Sequence, residues 1–256
     1  MKKEETRFIA STVMEGMTSI SSLLAAREAG INDRVIEKIL FDRDKKRKKE
    51  REYSFLLAKC KSLDIPLVLT DAAEIDALTV GNTHGGIIAL CGERTIPHPT
   101  AENLPQNAFL CLLEGIEDPY NFGSALRSLY AAGVDGILVG ERNWLSAAGV
   151  VARASAGASE ALPLFAGNVQ DSVALCKEQG YRVVCAGIRD AVGLYEADLK
   201  KPLLLVVGGE KRGISAEMLA LADQVVRIDY GRAFRGSLSA AAAATVIAFE
   251  VLHQNQ

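Results

Sequence analysis

Five short and mostly apolar segments in the second half of the chain constrain its fold more than any other feature. They are Phe109–Glu114, Gly136–Val139, Tyr181–Ala186, Leu203–Val207 and Val225–Asp229. Strands that lack polar alternation are buried on both faces, and strands that alternate with helices form parallel sheets. The pattern therefore predicts an α/β fold with a mostly parallel sheet, closed by an Ala-rich helix over Ser237–Leu252.

A smaller α/β pattern precedes this region. Apolar residues recur at helical spacing over Val13–Ala29, and the basic run Lys45–Arg51 is predicted to open a second helix with Phe55, Leu56, Leu57 and Leu63 on its apolar positions. The predicted strands are Ile36–Phe41, Pro66–Thr70 and Gly86–Cys91. The proline-rich stretch Thr95–Gln106 is typical of a linker. We therefore predict domains at residues 1–96 and 107–256, joined by a linker at 97–106.

Composition excludes several classes of protein. A length of 256 residues, 49% hydrophobic and 24% charged, is typical of a globular protein, and a net charge of -3 argues against a basic field over the whole surface. The five cysteines form no CxxC and are expected to be reduced. The three histidines are far apart, so we expect no metal site. No apolar stretch has membrane-spanning length and no signal peptide is recognisable, which favours a cytoplasmic location.

The segment DPYNFGSALR (Asp118–Arg127) follows the first strand of the parallel sheet. Asp118 or Asn121 is suited to cap the helix that begins there, and Arg127 lies further along it. A guanidinium at this place can bind a phosphate or a carboxylate. The alternative interpretation is a capped helix with a surface arginine.

The segment VVGGEKRG (Val206–Gly213) ends another apolar strand with Gly208 and Gly209, followed at once by Glu210. Two glycines at a strand end let a ligand approach the backbone. The spacing does not fit a Walker A loop, and the chain has no GxGxxG, so nucleotide hydrolases and classical dehydrogenases are disfavoured. The alternative is a tight turn with solvated charges.

The third segment runs from Ile228 through the loop DYGRAFRG into Ser237, Leu238 and Ser239 at the start of the last helix. Ser237 is a natural N-cap residue. Arg232 and Arg235 flank Phe234, a combination suited to a nucleic-acid backbone with one ring for stacking, although surface loops often have this composition. Lys46, Arg47 and Lys48 form a further candidate for phosphate contacts, or a solvated helix face.

Taken together and in this order, the three segments resemble the signature motifs of the SpoU/TrmH branch of the SPOUT RNA methyltransferases. The resemblance covers residues 107–256 and includes ASAGASEALPLF (Ala154–Phe165) between the motifs. In the first part of the chain, MEGMTSISSLL and HGGIIAL resemble the small substrate-binding domain that many members carry.

The resemblance implies a deep trefoil knot in the second domain, a homodimer with the active site at its interface, and methyl transfer from S-adenosylmethionine to a ribose 2′-hydroxyl of tRNA or rRNA. The residues at the cofactor-binding positions are Ala186, Gly187, Gly208, Gly209, Ile228 and Leu238. Those at the catalytic positions are Asn121, Arg127, Glu210, Ser237 and Ser239. The family proposal gives Arg127 the role of general base. An arginine normally stays charged, so orienting a phosphate or stabilising the developing oxyanion are equal alternatives for Arg127.

Two positions depart from the family pattern. Asp229 stands where a proline is usual, and Ser239 stands where an asparagine is usual. A hydroxyl offers fewer hydrogen bonds than a carboxamide, so weakened or redirected catalysis is an alternative. The competing hypothesis is therefore a non-catalytic RNA-binding module on the same fold.

Overall fold

The computed structural model of the chain describes residues 13–79, 83–140 and 147–256. These residues form two compact units. Among them, unit 1 holds residues up to Thr95 together with residues 147–161, and unit 2 holds residues 96–140 and 162–256. The segment between two strands of unit 2 therefore packs within unit 1.

Unit 1 is built on a four-stranded mixed sheet in the order β1-β4-β2-β3. Its strands are β1 (Val13–Glu15), β2 (Ile36–Asp42), β3 (Leu67–Thr70) and β4 (Ile87–Cys91). β4 runs antiparallel to β1 and β2, while β2 and β3 are parallel. The sequence analysis assigned Val13 to a helix. The structure instead begins with a short strand, and the helix starts only at Gly16, whose φ of 82° suits a glycine.

The helices of unit 1 are α1 (Gly16–Glu28), α2 (Glu50–Leu63), α3 (Ala72–Leu78), α5 (Ala148–Ala154) and α6 (Ala158–Ala161). Leu23, Phe41 and Ile87 are fully buried in its core, and Ala148 and Ala152 of α5 belong to the same cluster. α6 and the turn before it pack on α1, where a Cβ on Gly157 would lie only 2.5 Å from the Cβ of Ser22. Glycine therefore permits this close approach.

A buried polar network fixes α6 within unit 1. The carboxylate of Glu160 accepts hydrogen bonds from Arg34 Nε at 3.0 Å and Asn32 Nδ2 at 2.6 Å, and Arg34 donates to the carbonyl of Gly92. Arg94 donates to the carbonyl of Ser159 at 2.7 Å. Buried charges are tolerated when they are paired and hydrogen-bonded in this way.

The basic run at 45–51 does not open a helix as predicted. Arg43–Lys45 form a 3-10 turn in which buried Asp42 accepts from the backbone of Asp44 and pairs with Lys45 at 3.3 Å. α2 begins only at Glu50, after Lys49, whose φ of −116° and ψ of 42° lie outside the helical region. Leu56 of α2 is buried, whereas Phe55 and Leu57 are exposed.

Unit 2 is built on a seven-stranded sheet in the order β7-β6-β5-β10-β8-β11-β9, with every pair parallel. Its strands are β5 (Phe109–Glu114), β6 (Gly136–Val139), β7 (Leu164–Ala166), β8 (Arg182–Ala186), β9 (Val192–Gly193), β10 (Leu203–Gly208) and β11 (Gln224–Arg227). The predicted α/β class with a mostly parallel sheet is confirmed. β7 and β9, with three and two residues, were missed by the sequence analysis.

The helices of unit 2 are α4 (Pro119–Ala131), α7 (Val169–Glu178), α8 (Ala216–Leu221) and α9 (Ala240–Gln254). α4 and α9 pack on one another, and α7 packs on β8 and α8. Asp223 connects β8 and α7, because its carboxylate accepts hydrogen bonds from the backbone N–H of Val183 at 2.8 Å and from Lys177 Nζ at 2.7 Å. Helices thus flank the central strands that end at the candidate site.

The predicted linker at 97–106 is packed on unit 2. The carbonyl of Pro97 accepts from the backbone of Ala166, Leu104 is buried, and the hydroxyl of Tyr181 donates to the carbonyl of Pro105. The domain bounds taken from the sequence stay a prediction. Within the described ranges, no helix is both long and apolar enough to cross a membrane.

Candidate ligand-binding site

The carboxyl ends of three neighbouring strands, β10, β8 and β11, open into a cavity of about 590 Å³. Crevices at the carboxyl edge of a parallel sheet are the usual ligand sites of α/β proteins, and this volume lies in the range of small-molecule pockets. The walls come from the loops that follow these strands, from α8, and from the first turns of α9. The fold therefore places the second and third sequence motifs, together with the end of β8, around one potential binding site.

All six residues at the predicted cofactor-binding positions line the cavity, and so do two of those at the catalytic positions. The first group is Ala186, Gly187, Gly208, Gly209, Ile228 and Leu238, and the second is Glu210 and Ser237. The structure thus brings together residues from three distant parts of the sequence. Their contacts with a ligand stay a prediction.

The glycines of the second motif are required by the protein backbone itself. A Cβ on Gly208 would lie 2.3 Å from the carbonyl carbon of Gly213, and a Cβ on Gly209 would lie 2.2 Å from the carbonyl oxygen of Gly115. Gly209 N–H also donates to the carbonyl of Glu114 at 2.7 Å. The sequence analysis explained these glycines by access for a ligand, whereas the structure shows that close packing of two loops already demands them.

Asn121 and Glu210 meet at the edge of the cavity. Asp118 caps α4 by accepting from the backbone N–H groups of Tyr120 and Asn121, which leaves the side chain of Asn121 free of capping. Asn121 Nδ2 then donates to Glu210 Oε1 at 3.0 Å. The neighbouring Lys211 pairs instead with Glu117 at 3.0 Å. One carboxylate oxygen of Glu210 is therefore fixed by the first motif.

Arg127 does not line the cavity. It is exposed on α4, six residues beyond Asn121, which corresponds to about 9 Å along a helix axis. Its guanidinium makes no hydrogen bond or ion pair with another residue of the described ranges. Within one chain, Arg127 and the cavity are thus not brought together.

The loop at 228–239 is ordered by contacts of its own. Arg227 Nε donates to Asp229 Oδ1 at 2.8 Å, and the backbone N–H of Leu238 donates to the hydroxyl of Tyr230 at 3.1 Å. The rings of Tyr230 and Phe234 lie 5.9 Å apart. Phe234 remains 61% exposed, which leaves its ring available for stacking.

Ser239, not Ser237, caps the last helix. Its hydroxyl accepts from the backbone N–H of Ala242 at 3.2 Å, and α9 begins at Ala240. Ser237 was predicted to be the N-cap, and this expectation is wrong because the chain stays extended for two further residues. Ser239 is absent from the described cavity lining, whereas the hydroxyl-bearing Ser237 is part of it.

Several lining residues were missed by the sequence analysis. They include Leu219 of α8, Ala240, Ala243 and Ile247 of α9, and Tyr230 of the loop. Phe234 was expected only to stack on a nucleic acid, and it also lines the cavity. The three from α9 recur at helical spacing and share one face. That spacing was visible in the sequence, but nothing in it showed that the face meets a cavity.

The basic residues proposed for RNA contacts lie on different units. Arg232 and Arg235 are exposed on the loop at 228–239, and Arg235 lines the cavity. Lys46, Arg47 and Lys48 are exposed in unit 1, where Lys46 Nζ lies 4.4 Å from the ring centroid of Tyr53.

The parallel sheet and its edge cavity are the architecture of an α/β protein with a site for a small ligand, beside a loop that carries two arginines. Residues 108–249 match the model of the SpoU rRNA methylase family, and residues 14–97 match the model for RNA 2′-O ribose methyltransferase substrate binding. The chain therefore belongs to the SpoU rRNA methylase family. The predicted family and the class of RNA ribose methyltransferase are confirmed.

Curated relatives agree with this assignment. The chain is 30% identical over 206 residues to the 23S rRNA (guanosine-2′-O-)-methyltransferase RlmB of Shewanella oneidensis, covering 78% of this chain and 83% of the relative. It is 29% identical to a putative TrmH family tRNA/rRNA methyltransferase of Staphylococcus saprophyticus, covering 90% and 93%.

Solved structures are also similar. A crystal structure of an RNA 2′-O ribose methyltransferase matches with a TM-score of 0.75 at 26% identity, covering 94% of this chain and 88% of that one. The SpoU methyltransferase AviRb from Streptomyces viridochromogenes, solved in complex with AdoMet, matches with a TM-score of 0.75 at 20% identity and covers 97% and 96%. The second likeness bears on the fold alone.

Proposed function

We propose that this protein transfers a methyl group from S-adenosylmethionine to a ribose 2′-hydroxyl of ribosomal or transfer RNA. The observation that carries the proposal is the cavity at the carboxyl edge of β8, β10 and β11. Its lining includes every residue at a cofactor-binding position of the family pattern.

The lining fits the cofactor. Leu219, Leu238 and Ile247 supply apolar walls suited to a purine ring. Glu210 and Asp229 add carboxylates, which suit the hydroxyl and amino groups of the ligand and its positive charge. S-adenosylmethionine, when bound, supplies an electrophilic methyl group, so the main task of the protein is to hold a ribose hydroxyl in line with it.

The residues at the catalytic positions are suited to that task. Asn121 fixes one oxygen of the Glu210 carboxylate and so holds this side chain at the cavity edge. Ser237 presents a hydroxyl from the opposite loop. Arg127 is the group we expect to orient a phosphate or to stabilise the negative charge that develops on the attacking oxygen. Ser239 contributes by capping α9 rather than by touching substrate.

The direct test is a calorimetric titration with S-adenosylhomocysteine, followed by transfer of labelled methyl from S-adenosylmethionine to total RNA. We expect the wild-type protein to bind the ligand. Arg127→Ala should retain this binding because the residue lies outside the cavity of its own chain, yet lose methyl transfer by roughly 100-fold or more. A protein that binds RNA but neither binds the ligand nor transfers methyl would establish the competing hypothesis of a non-catalytic module.

A homodimer is part of the proposal. It is supported by the exposed Arg127, which a single chain leaves outside the cavity. In a symmetric dimer, a second copy would bring its own Arg127 to the cavity of the first. Co-expression of Arg127→Ala with Glu210→Ala tests this arrangement. If the two variants pair at random, half of the dimers contain one copy of each, and each mixed dimer has one complete site out of two. We therefore expect about a quarter of the wild-type rate. No recovery after co-expression would contradict it.

The RNA contacts, the trefoil knot and the cytoplasmic location are further parts of the proposal. Arg232 and Arg235 are placed to meet the RNA beside the cavity, while Lys46, Arg47 and Lys48 would contact phosphates from unit 1. Replacing Arg232 and Arg235 with glutamine should weaken RNA binding. The slope of the logarithm of the binding constant against the logarithm of the salt concentration should become shallower by about one unit for each lost phosphate contact. An unchanged slope would remove these residues from the interface.

A further inference from the structure

Asp229 occupies a position at which the family pattern has proline, and the structure places it in the wall of the cavity. Proline offers no side-chain hydrogen bond, whereas an ionised carboxylate accepts several. The substitution therefore adds an acceptor that the general pattern lacks. Asp229 immediately follows Ile228, which is at a cofactor-binding position.

The two carboxylate oxygens of Asp229 have different surroundings. Oδ1 accepts from Arg227 Nε at 2.8 Å, and Arg227 is held in turn by its bond to the carbonyl of Ala191. Oδ2 lies 3.1 Å from the place that a Cβ on Gly193 would take, so the glycine leaves room for it. No side chain or backbone N–H of the described ranges donates to Oδ2. Oδ2 is therefore an acceptor without a donor from the described part of the chain, on a side chain that is 61% exposed.

The loop around Asp229, which lines the cavity, is ordered by contacts of its own. The hydroxyl of Tyr230 accepts from Leu238 N–H, which closes the loop on itself, and the rings of Tyr230 and Phe234 pack together. Preorganised groups lose less entropy on binding, so an acceptor held in this way gains more from each hydrogen bond. Glu210, the other carboxylate in the lining, already accepts from Asn121.

Resting on the proposed function, we infer that Asp229 is an additional cofactor-recognition residue of this protein. Its Oδ2 accepts a hydrogen bond from a donor group of the cofactor. That donor belongs either to the adenosyl half, as a hydroxyl or amino group, or to the methionyl half, as the ammonium group. Both offer the same chemistry to a carboxylate.

Calorimetric titrations of Asp229→Ala and Asp229→Asn with S-adenosylhomocysteine test the inference without any RNA. We expect Asp229→Ala to raise the Kd about five- to tenfold, as for loss of one charge-assisted hydrogen bond at a partly exposed site, and Asp229→Asn to have a smaller effect. Asp198→Ala is the matched control. Asp198 forms a similar exposed ion pair with Arg182 at 2.7 Å, and neither residue belongs to the cavity lining. It should leave the Kd unchanged.

Two further arms separate recognition from loop ordering and locate the donor. Arg227 also lines the cavity, so Arg227→Gln is used as a background in which the ion pair is already broken. Asp229→Ala should still raise the Kd in this background, and no further rise would show that Asp229 acts only through its pair with Arg227 and would overturn the inference. Titration with 5′-methylthioadenosine, which lacks the amino acid group, locates the donor. If Asp229→Ala weakens the binding of both ligands, the donor lies in the adenosyl half. If it weakens the binding of S-adenosylhomocysteine alone, the donor is the ammonium group.

The inference and the proposed function fail in different ways. If the wild-type protein does not bind S-adenosylhomocysteine, the proposed function is wrong and the inference falls with it. If the wild-type protein binds and Asp229→Ala binds equally well, only the inference is wrong.

Discussion

At the scale of single residues, Glu160 is the clearest test of how unit 1 is held together. It is 3% exposed and accepts from Arg34 and Asn32. We expect Glu160→Ala to lower the free energy of unfolding by about 3–5 kcal/mol, because it leaves the Arg34 charge buried without its carboxylate. Urea unfolding followed by fluorescence and circular dichroism measures the change.

An exposed pair in the same unit provides the control. Glu28 and Lys59 form an ion pair at 2.7 Å with both side chains about one-third exposed, and Glu28→Ala should cost less than about 1 kcal/mol. The double variant Arg34→Met, Glu160→Leu should lose less stability than Glu160→Ala alone, since Arg34 then leaves no unpaired charge behind. Equal losses at Glu160 and Glu28 would contradict the assigned role of the network.

Asn121 is the corresponding test in unit 2. Asn121→Ala removes the donor that fixes Glu210 Oε1 at 3.0 Å. Since Asn121 is only partly buried, stability should change by less than about 0.5 kcal/mol, while single-turnover methyl transfer should fall by about 10-fold or more because Glu210 loses its orientation.

Lys211→Ala serves as the control for this variant. Lys211 follows Glu210 directly, but it is exposed and pairs with Glu117 instead. Its replacement should leave the single-turnover rate within about twofold of wild type. A loss of rate in both variants would point to disruption of the loop rather than of the Asn121 contact.

At the scale of elements, the start of α9 separates a structural serine from one that faces the cavity. Ser239→Ala should destabilise unit 2 by about 1 kcal/mol, as for loss of an N-cap, and Ser237→Ala should leave stability nearly unchanged. Ser237→Ala should instead affect ligand binding or methyl transfer, because its hydroxyl lines the cavity. Thermal unfolding and calorimetric titration of both variants check this division, and the opposite assignment would restore Ser237 as the cap.

The elements that the sequence predicted well are those with long apolar runs. β5 was predicted with its observed bounds, and β8, β10 and β11 within two residues at each end, because parallel strands buried on both faces leave a strong signal. β1 was hidden, since its three residues continue without a break into the apolar pattern of α1. The start of α2 was misplaced because the turn capped by Asp42 has no signature in a run of lysines and arginines.

The candidate site was partly predictable for a related reason. Its motifs lie where strands end, so residues such as Gly208, Gly209 and Ile228 could be assigned from sequence and family resemblance. The sheet order that brings β8 between β10 and β11 depends on pairings between distant segments and leaves no local pattern. Leu219 and Ile247 therefore became visible only in the structure.

At the scale of the whole molecule, the five cysteines report on the two units separately. All are buried and unpaired, with Cys60 and Cys91 in unit 1 and Cys111, Cys176 and Cys185 in unit 2. Burial raises the pKa of Cys176 and Cys185 to about 12, so their thiols stay protonated near neutral pH. At pH 8 we expect slow reaction with a thiol reagent in the native protein and fast reaction in urea, because the thiolate is the reactive form.

A bound ligand should change the labelling rates of the two units differently. S-adenosylhomocysteine should slow the labelling of the three cysteines of unit 2, because a ligand that binds only the folded state makes opening of that unit less frequent. Cys60 and Cys91 should be less affected. Mass spectrometry of labelled peptides gives each rate, and rapid labelling of native Cys185 would contradict the buried position of β8.

Residues 147–161 connect two strands of unit 2 yet contribute Ala148 and Ala152 to the core of unit 1. The polypeptide therefore leaves unit 2 and returns to it, so no single cut in the chain yields two complete halves. A fragment that begins at residue 97 would still contain residues 147–161 but not the rest of unit 1. The small apolar side chains and the Glu160 carboxylate of this segment would then be exposed to water. Exchange of the amino-terminal domain between relatives, whether by recombination or by design, has to replace this insert at the same time.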